Sequence, residues 1–359
     1  MRLGIQRIAI ACFLFIALPA LFRKLIFKLY AHPVIAPTSL WKEGCTPQCR
    51  TFNKEISIVS RHAKRKCTEL SEESNDCLLL DSPTPFVRYI VEAVLGSPFD
   101  GSCVKPDCKF SMTYDEEGRA WGNDWPPFGY AMMGRARLLN FYASIREVNR
   151  KEIPGEILEL GVWRGGGMML ASAVNMESDI KRGIHSFDAF DTIKQYNAAD
   201  AFLSVKEQDV RYWFRHFGVM NEYVHFHVGL FKDTVPLWNP QQKIAVLRID
   251  GNFYDSYQDA MYYLYGSVSV GGIIIFDDVI SHPSVAQFWN DFKNEQGLEI
   301  TLNQIDAQSA WFRKQSDITL NWKYFRAPQD ANRETFRQEC PEHIREKTFG
   351  SCHTSWYAR

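Results

Sequence analysis

Leu247-Arg248-Ile249-Asp250-Gly251-Asn252-Phe253-Tyr254, followed after a helix-length interval by Gly271-Gly272-Ile273-Ile274-Ile275-Phe276-Asp277-Asp278, decides how this chain folds. Two apolar runs, Ile244–Ile249 and Ile273–Phe276, each close on acid. With a helix between them they read as buried strands of a parallel α/β sheet, whose carboxyl ends line the ligand crevice. Asp250, Asp277 and Asp278 would then meet on one rim as hard oxygen donors suited to a divalent cation of the Mg2+ type. A single acid at a strand end often only caps the next helix. Two such ends, one carrying a doublet, point to a metal or catalytic role.

The alternation extends to both sides. Met132, Met133, Leu138, Leu139, Tyr142, Ile145 and Val148 recur at helical spacing until Pro154-Gly155 stops the pattern. Strand signals follow at Ile157–Gly161, Gly183–Asp188, Tyr223–Gly229, Ile244–Asp250 and Gly272–Asp278, then at Leu298–Ile305 and Ala310–Lys314. Strands separated by helix-length segments and closed by an antiparallel pair make a doubly wound α/β domain, its sheet mostly parallel with a final antiparallel strand. The expected organisation is a hydrophobic segment over 1–30, a Cys-rich stem or small disulfide-stapled region over 31–113, the α/β domain over 114–323 and a polar tail over 324–359.

Glu156-Ile157-Leu158-Glu159-Leu160-Gly161-Val162-Trp163-Arg164-Gly165-Gly166-Gly167 reads as a strand entering a glycine-rich turn and then a helix. Glycines permit positive φ and close backbone approach to a ligand. The turn lacks both Gly-x-Gly-x-x-Gly dinucleotide spacing and the Gly-Lys-Ser/Thr of a phosphate loop. It does carry Glu159 two residues before the first glycine. A carboxylate there repels a pyrophosphate and suits a ligand with an ammonium, such as S-adenosylmethionine. Asp188, ending the second strand, suits ribose hydroxyls, as acids do in nucleoside-binding α/β folds; its bland reading is a helix cap. Trp163 reads as either a pocket wall or packing.

A formal net charge of −1 over 359 residues gives no global pull toward nucleic acid. The basic run Arg61-His62-Ala63-Lys64-Arg65-Lys66 reads as a solvated surface. Ile8–Phe22 is apolar and flanked by Arg2, Arg7, Arg23 and Lys24, short for the about 20 residues of a spanning helix but extended by Leu25-Ile26-Phe27. It is a signal anchor or a cleaved signal peptide, the anchor favoured because Leu18 spoils the Ala17–Ala20 cleavage site. Apart from Cys12, the cysteines are Cys45, Cys49, Cys67, Cys77, Cys103 and Cys108 before the α/β region and Cys340 and Cys352 after it. An even number in irregular flanks and none in the core is the pattern of disulfides in an oxidising compartment; zinc is the rival, disfavoured by the loose spacing. The expectation is a secretory-pathway protein, single-pass with a luminal catalytic domain, or secreted if the segment is cleaved.

Gly155–Gly166, Phe187-Asp188-Ala189-Phe190-Asp191, Gly229-Leu230-Phe231-Lys232-Asp233-Thr234-Val235-Pro236, Leu247–Tyr254 and Gly271–Asp278 occur in an order that resembles the macrocin O-methyltransferase (TylF/MycF-like) family, over roughly residues 125–315. The resemblance implies a Rossmann-like class I methyltransferase fold, S-adenosylmethionine as donor, Mg2+, and usually a sugar hydroxyl as acceptor. Carried over by position, Glu159, Gly161 and Gly165 would shape the methionine end of the cofactor site, Asp188 would hold the ribose, and Asp250, Asp277 and Asp278 would bind the metal. Trp163 joins the cofactor candidates as a pocket wall, not by carry-over. The chain departs from the family at Asn252, where the family commonly has a second Asp; an amide can coordinate but cannot act as a base.

Methyl transfer from a sulfonium is an in-line displacement, so the protein positions the two reactants and removes one proton. Asp250 is the first candidate base, His282 the second. The acceptor is expected to be a glycan or small polyhydroxylated molecule. The rival class is a non-catalytic luminal or membrane-tethered binding module that keeps the fold, with Asn252 as its support. Oligomeric state is not legible.

Overall fold

The computed structural model describes residues 78, 81–96, 116–122, 126, 128–191, 203–323 and 325, all within the unit Val59–Arg359. The expected anchor and all nine cysteines lie outside the described residues. Among those described, no helix is long and apolar enough to cross a membrane.

The elements are α1 (Pro85–Leu95), α2 (Glu116–Trp121), α3 (Arg135–Arg150), β1 (Glu156–Leu160), α4 (Gly166–Glu177), β2 (Ile184–Asp188), α5 (Glu207–His216), β3 (Val224–Val228), α6 (Phe231–Thr234), β4 (Ile244–Ile249), α7 (Tyr254–Leu264), β5 (Val268–Phe276), α8 (Pro283–Gln296), β6 (Asn303–Gln304) and β7 (Ala310–Arg313). They form a seven-stranded sheet in the order β3-β2-β1-β4-β5-β7-β6. The first five strands are mutually parallel and β7 is antiparallel to both β5 and β6. The strand order reverses between β1 and β4, which makes their carboxyl ends the expected ligand crevice.

The period of two along each strand sorts the interior into two layers. Leu158, Leu160, Phe187, Leu247, Ile249, Ile274 and Phe276 pack with Tyr257, Met261, Phe288 and Phe292 of α7 and α8. The opposite positions, Glu159 and Arg248 among them, face the layer that contains α3 and α4. β4 is buried at every position, so Arg248, only 2% exposed, is a charge inside the sheet.

Three boundaries differ from the sequence reading. β5 starts at Val268 rather than Gly272, because Val268 pairs with Ile244 before an irregularity that Gly271 absorbs at φ 86°. β6 is only two residues long; Leu298, Ile300 and Leu302 do alternate onto the core, but without ladder bonds. α1 falls inside the stretch read as irregular stem. Thr84 caps it by accepting from the Val87 amide, Pro85 occupies its first turn, and Gly96 at φ 80° ends it. Its buried face, Val87, Ile90, Val91, Val94 and Leu95, packs against α4.

At the β2–β3 edge, His185, His225 and His227 gather on one face. The His185 ring stacks with the other two, His185 Nδ1 lies 3.0 Å from His227 Nε2, and Trp238 meets His185 edge-on. Burial, then each neighbouring imidazole, lowers the pKa of His185 to about 3; burial and then His225 lower that of His227 to about 4.

Candidate active site

β1 ends at Gly161, whose φ of 85° turns the chain sharply. A β-carbon there would lie 1.9 Å from the Asp250 carbonyl oxygen, so only glycine lets the ends of β1 and β4 approach this closely. The turn continues through Trp163 at φ 48° and Gly165 at φ 82° into α4. Asp188 holds it: Oδ2 accepts from the Val162 and Trp163 amides, both at 2.9 Å, and Oδ1 from the Phe190 amide at 3.0 Å. Trp163 is buried, with the Arg164 guanidinium 4.2 Å over its ring. Gly165 makes room for packing instead, since a β-carbon would sit 2.8 Å from Val210 of α5.

Glu159 lies beneath this turn rather than on the rim. It is 1% exposed, and both carboxylate oxygens would lie 2.7 Å from a β-carbon on Gly167. Oε1 accepts from Arg248 Nη1 at 2.7 Å, while Oε2 is buried with no hydrogen-bond partner. Burial raises its pKa to about 7 even with Arg248 opposing.

Arg248 carries the network across the crevice. Its Nη2 donates to Asp250 Oδ2 at 3.1 Å and to Asp277 Oδ2. Asp277 is also gripped at Oδ1, which accepts from Arg137 Nη1 at 2.9 Å, from the Ser309 hydroxyl and from the Asp278 amide at 3.1 Å. Burial alone would raise its pKa, but Arg137 and then Arg248 overcome that and hold it well below the usual carboxylate range. Arg137 further donates to Asp306 at 2.7 Å and Gln308 at 2.6 Å, tying in the β6–β7 turn. From the other face, the Tyr257 hydroxyl sits between the carbonyls of Ile249, at 2.9 Å, and Asp277.

All three predicted rim acids gather, but they differ in what they face. Asp277 is 3% exposed and turned to the arginines, whereas Asp250 is 29% exposed. Asp278 is half-buried, its backbone left-handed at φ 56°, as is that of Asn252 at φ 61°. Two guanidinium groups, Arg137 and Arg248, confront five carboxylates, Glu159, Asp250, Asp277, Asp278 and Asp306. The imbalance falls on the open side. Burial and then Asp277 raise the pKa of Asp250 and bring that of Asp278 to about 7. Among the described residues no three His, Cys, Asp or Glu side chains stand ready as a complete metal cage. His282 caps α8, with Nδ1 3.0 Å from Ser284 Oγ, its amide donating to the Asp278 carbonyl and its ring edge-on to Phe253. The arginines escaped the sequence reading; a lone cation inside the apolar run Ile244–Ile249 was the available signal for Arg248.

A profile of the family described as macrocin-O-methyltransferase (TylF) matches residues 103–314. The demethyldecarbamoylnovobiocin O-methyltransferase of Streptomyces niveus is 32% identical over 216 residues, which cover 56% of this chain and 82% of that protein. The 8-demethyl-8-(2,3-dimethoxy-alpha-L-rhamnosyl)-tetracenomycin-C 4'-O-methyltransferase of Streptomyces olivaceus is 30% identical over 213 residues, 55% of this chain and 81% of that one. The solved O-methyltransferase NovP superposes with a TM-score of 0.59 at 29% identity, covering 64% of this chain and 98% of its own.

Proposed function

Because the chain belongs to the macrocin-O-methyltransferase (TylF) family and is an S-adenosylmethionine-dependent O-methyltransferase, we propose that it methylates a hydroxyl of a sugar or similar polyhydroxylated acceptor at the rim of Asp250 and Asp278. The rhamnosyl acceptor in the name of the Streptomyces olivaceus relative supports a sugar. The observation that carries the reading is geometric: two partly open aspartates, Asp250 and Asp278, stand beside the glycine-rich turn, joined to it by the close Gly161–Asp250 contact.

S-adenosylmethionine supplies an electrophilic methyl group, so the residues have to orient and deprotonate. Gly161, Trp163 and Asp188 form the proposed donor platform, and Gly165 seats the turn against α5. Asp188, held in place by the Val162, Trp163 and Phe190 amides, is the acid set for the ribose hydroxyls. Glu159 acts from beneath the turn, its orphaned oxygen adding negative potential under the donor's ammonium. Asp250 receives the acceptor proton, with His282 the second candidate.

Mg2+ fits this donor set, since it commonly uses one or two carboxylates and keeps several waters. Asp250 and Asp278 would hold it, with Asp277 locked behind them, and a divalent ion there lowers the pKa of a bound hydroxyl. The test is transfer of labelled methyl from S-adenosylmethionine to methyl α-L-rhamnopyranoside, with and without chelator. Asp250→Asn should reduce the rate by about 100-fold or more. Absence of transfer to any glycoside would sink the acceptor reading; indifference to chelator would remove the metal.

We also place the domain in the lumen of the secretory pathway, supported by the apolar segment Ile8–Phe22 and the confinement of cysteines to the flanks. Resistance to alkaline extraction from membranes, together with a mobility shift on reduction, is the expected result. Free thiols throughout would contradict it.

A further inference from the structure

Three residues stand in one row across the middle of the sheet. Glu159 of β1 is paired in register with Ser186 of β2 on one side and with Arg248 of β4 on the other. Register partners in a parallel sheet project to the same face, here the face beneath α4. Glu159 is therefore flanked by a guanidinium and by a hydroxyl. Arg248 takes Oε1, donating from Nη1 at 2.7 Å. Ser186, fully buried, occupies the opposite flank.

Two oxygens of this row, Glu159 Oε2 and Ser186 Oγ, are shut off from solvent and have no hydrogen-bond partner among the described residues. The roof over the carboxylate is bare backbone at Gly167, where a β-carbon would lie 2.7 Å from both Glu159 oxygens. Buried oxygens in folded proteins are almost always hydrogen-bonded, and leaving two bonds unmade costs more than trapping one water to serve both. A carboxylate inside a protein keeps its charge only when donors point at it. With Arg248 on one oxygen alone, burial still raises the Glu159 pKa to about 7. The anion needs a second donor, and the register sets Ser186 beside it.

We propose that one enclosed water bridges Ser186 Oγ and Glu159 Oε2, making Ser186 the positioning residue that holds the Glu159 carboxylate ready for the donor's ammonium. Ser186 donates its O–H to the water, and the water donates onward to Oε2. The inference rests on the reading of Glu159 as the donor's counter-charge and adds the group that maintains it.

The test is calorimetry on the full chain with two ligands: S-adenosylhomocysteine, which carries the ammonium, and methylthioadenosine, which lacks the whole amino-acid end. Ser186→Ala should weaken S-adenosylhomocysteine about fivefold to tenfold and leave methylthioadenosine within about twofold. Ser186→Thr, which keeps the hydroxyl, should retain most of the affinity. Glu159→Gln should weaken S-adenosylhomocysteine by itself, and Ser186→Ala added to it should change nothing further. Equal losses for both ligands in Ser186→Ala mark a distorted strand and overturn the inference, as does S-adenosylhomocysteine bound at wild-type strength. Glu159→Gln binding at wild-type strength overturns the donor role of Glu159 and the inference with it. A crystal structure of the wild type should show one water within about 3.2 Å of both Glu159 Oε2 and Ser186 Oγ; density for none overturns the bridge.

Discussion

Gly161 shows how much a single missing β-carbon can decide. Gly161→Ala would push a methyl group into the Asp250 carbonyl, backbone against backbone, at a φ of 85° that L-residues avoid. The expected cost is about 1–3 kcal/mol in urea unfolding, with donor binding weakened as the turn is displaced. Asp277 invites a sharper test. Arg137→Met strips one cation from a buried cluster and should cost about 3–5 kcal/mol, because the partner carboxylates are left uncompensated. Asp250, Asp277 and Asp278 were legible because they follow strand ends, where sequence order alone places them together, whereas Asp306 in the β6–β7 turn carried no such signal. The counter-ions were not legible either. Arg137 and Asp277 are 140 residues apart in the chain, and a helical arginine reads as a solvent face until the packing is known.

Among the elements, those with a clean period were readable and those held by tertiary contacts were not. The five parallel strands and the reversal at β7 follow from apolar runs at regular spacing. α1 escaped because its flanks are rich in Cys, Pro and Ser, although the Thr84-Pro85 start and Gly96 stop were there to see. Ile90 is fully buried between α1 and its neighbours, so Ile90→Ala should lower stability by about 2–5 kcal/mol, measured by chemical denaturation. The histidine edge makes a prediction about pH. His185 and His227 have folded pKa values of about 3 and about 4, below their ordinary value of 6.5. The unfolded chain therefore binds protons first, and the stabilisation is complete above about pH 6.5 and drains away as pH falls toward 4. The melting temperature should drop across that window, and His185→Phe should flatten the drop; an identical profile in the variant would exclude the cluster as its source.

For the whole molecule, a mostly parallel sheet with a final antiparallel strand could be anticipated, but the charge distribution could not. A formal charge of −1 conceals a crevice where acids outnumber bases. A divalent ion that occupies it must stabilise the fold, by about 2.7 kcal/mol at a hundredfold excess over its dissociation constant. Mg2+ should therefore raise the melting temperature of the wild type and leave a variant carrying both Asp250→Asn and Asp278→Asn unmoved.

The guanidinium of Arg248 answers at once to Glu159 on the donor flank and to Asp250 and Asp277 on the acceptor flank. Altering any one of those acids disturbs the others, so the floor of the crevice is a poor place to retune this catalyst. Variation in what it accepts is better sought at the perimeter, where side chains can be exchanged without unsettling the lattice below.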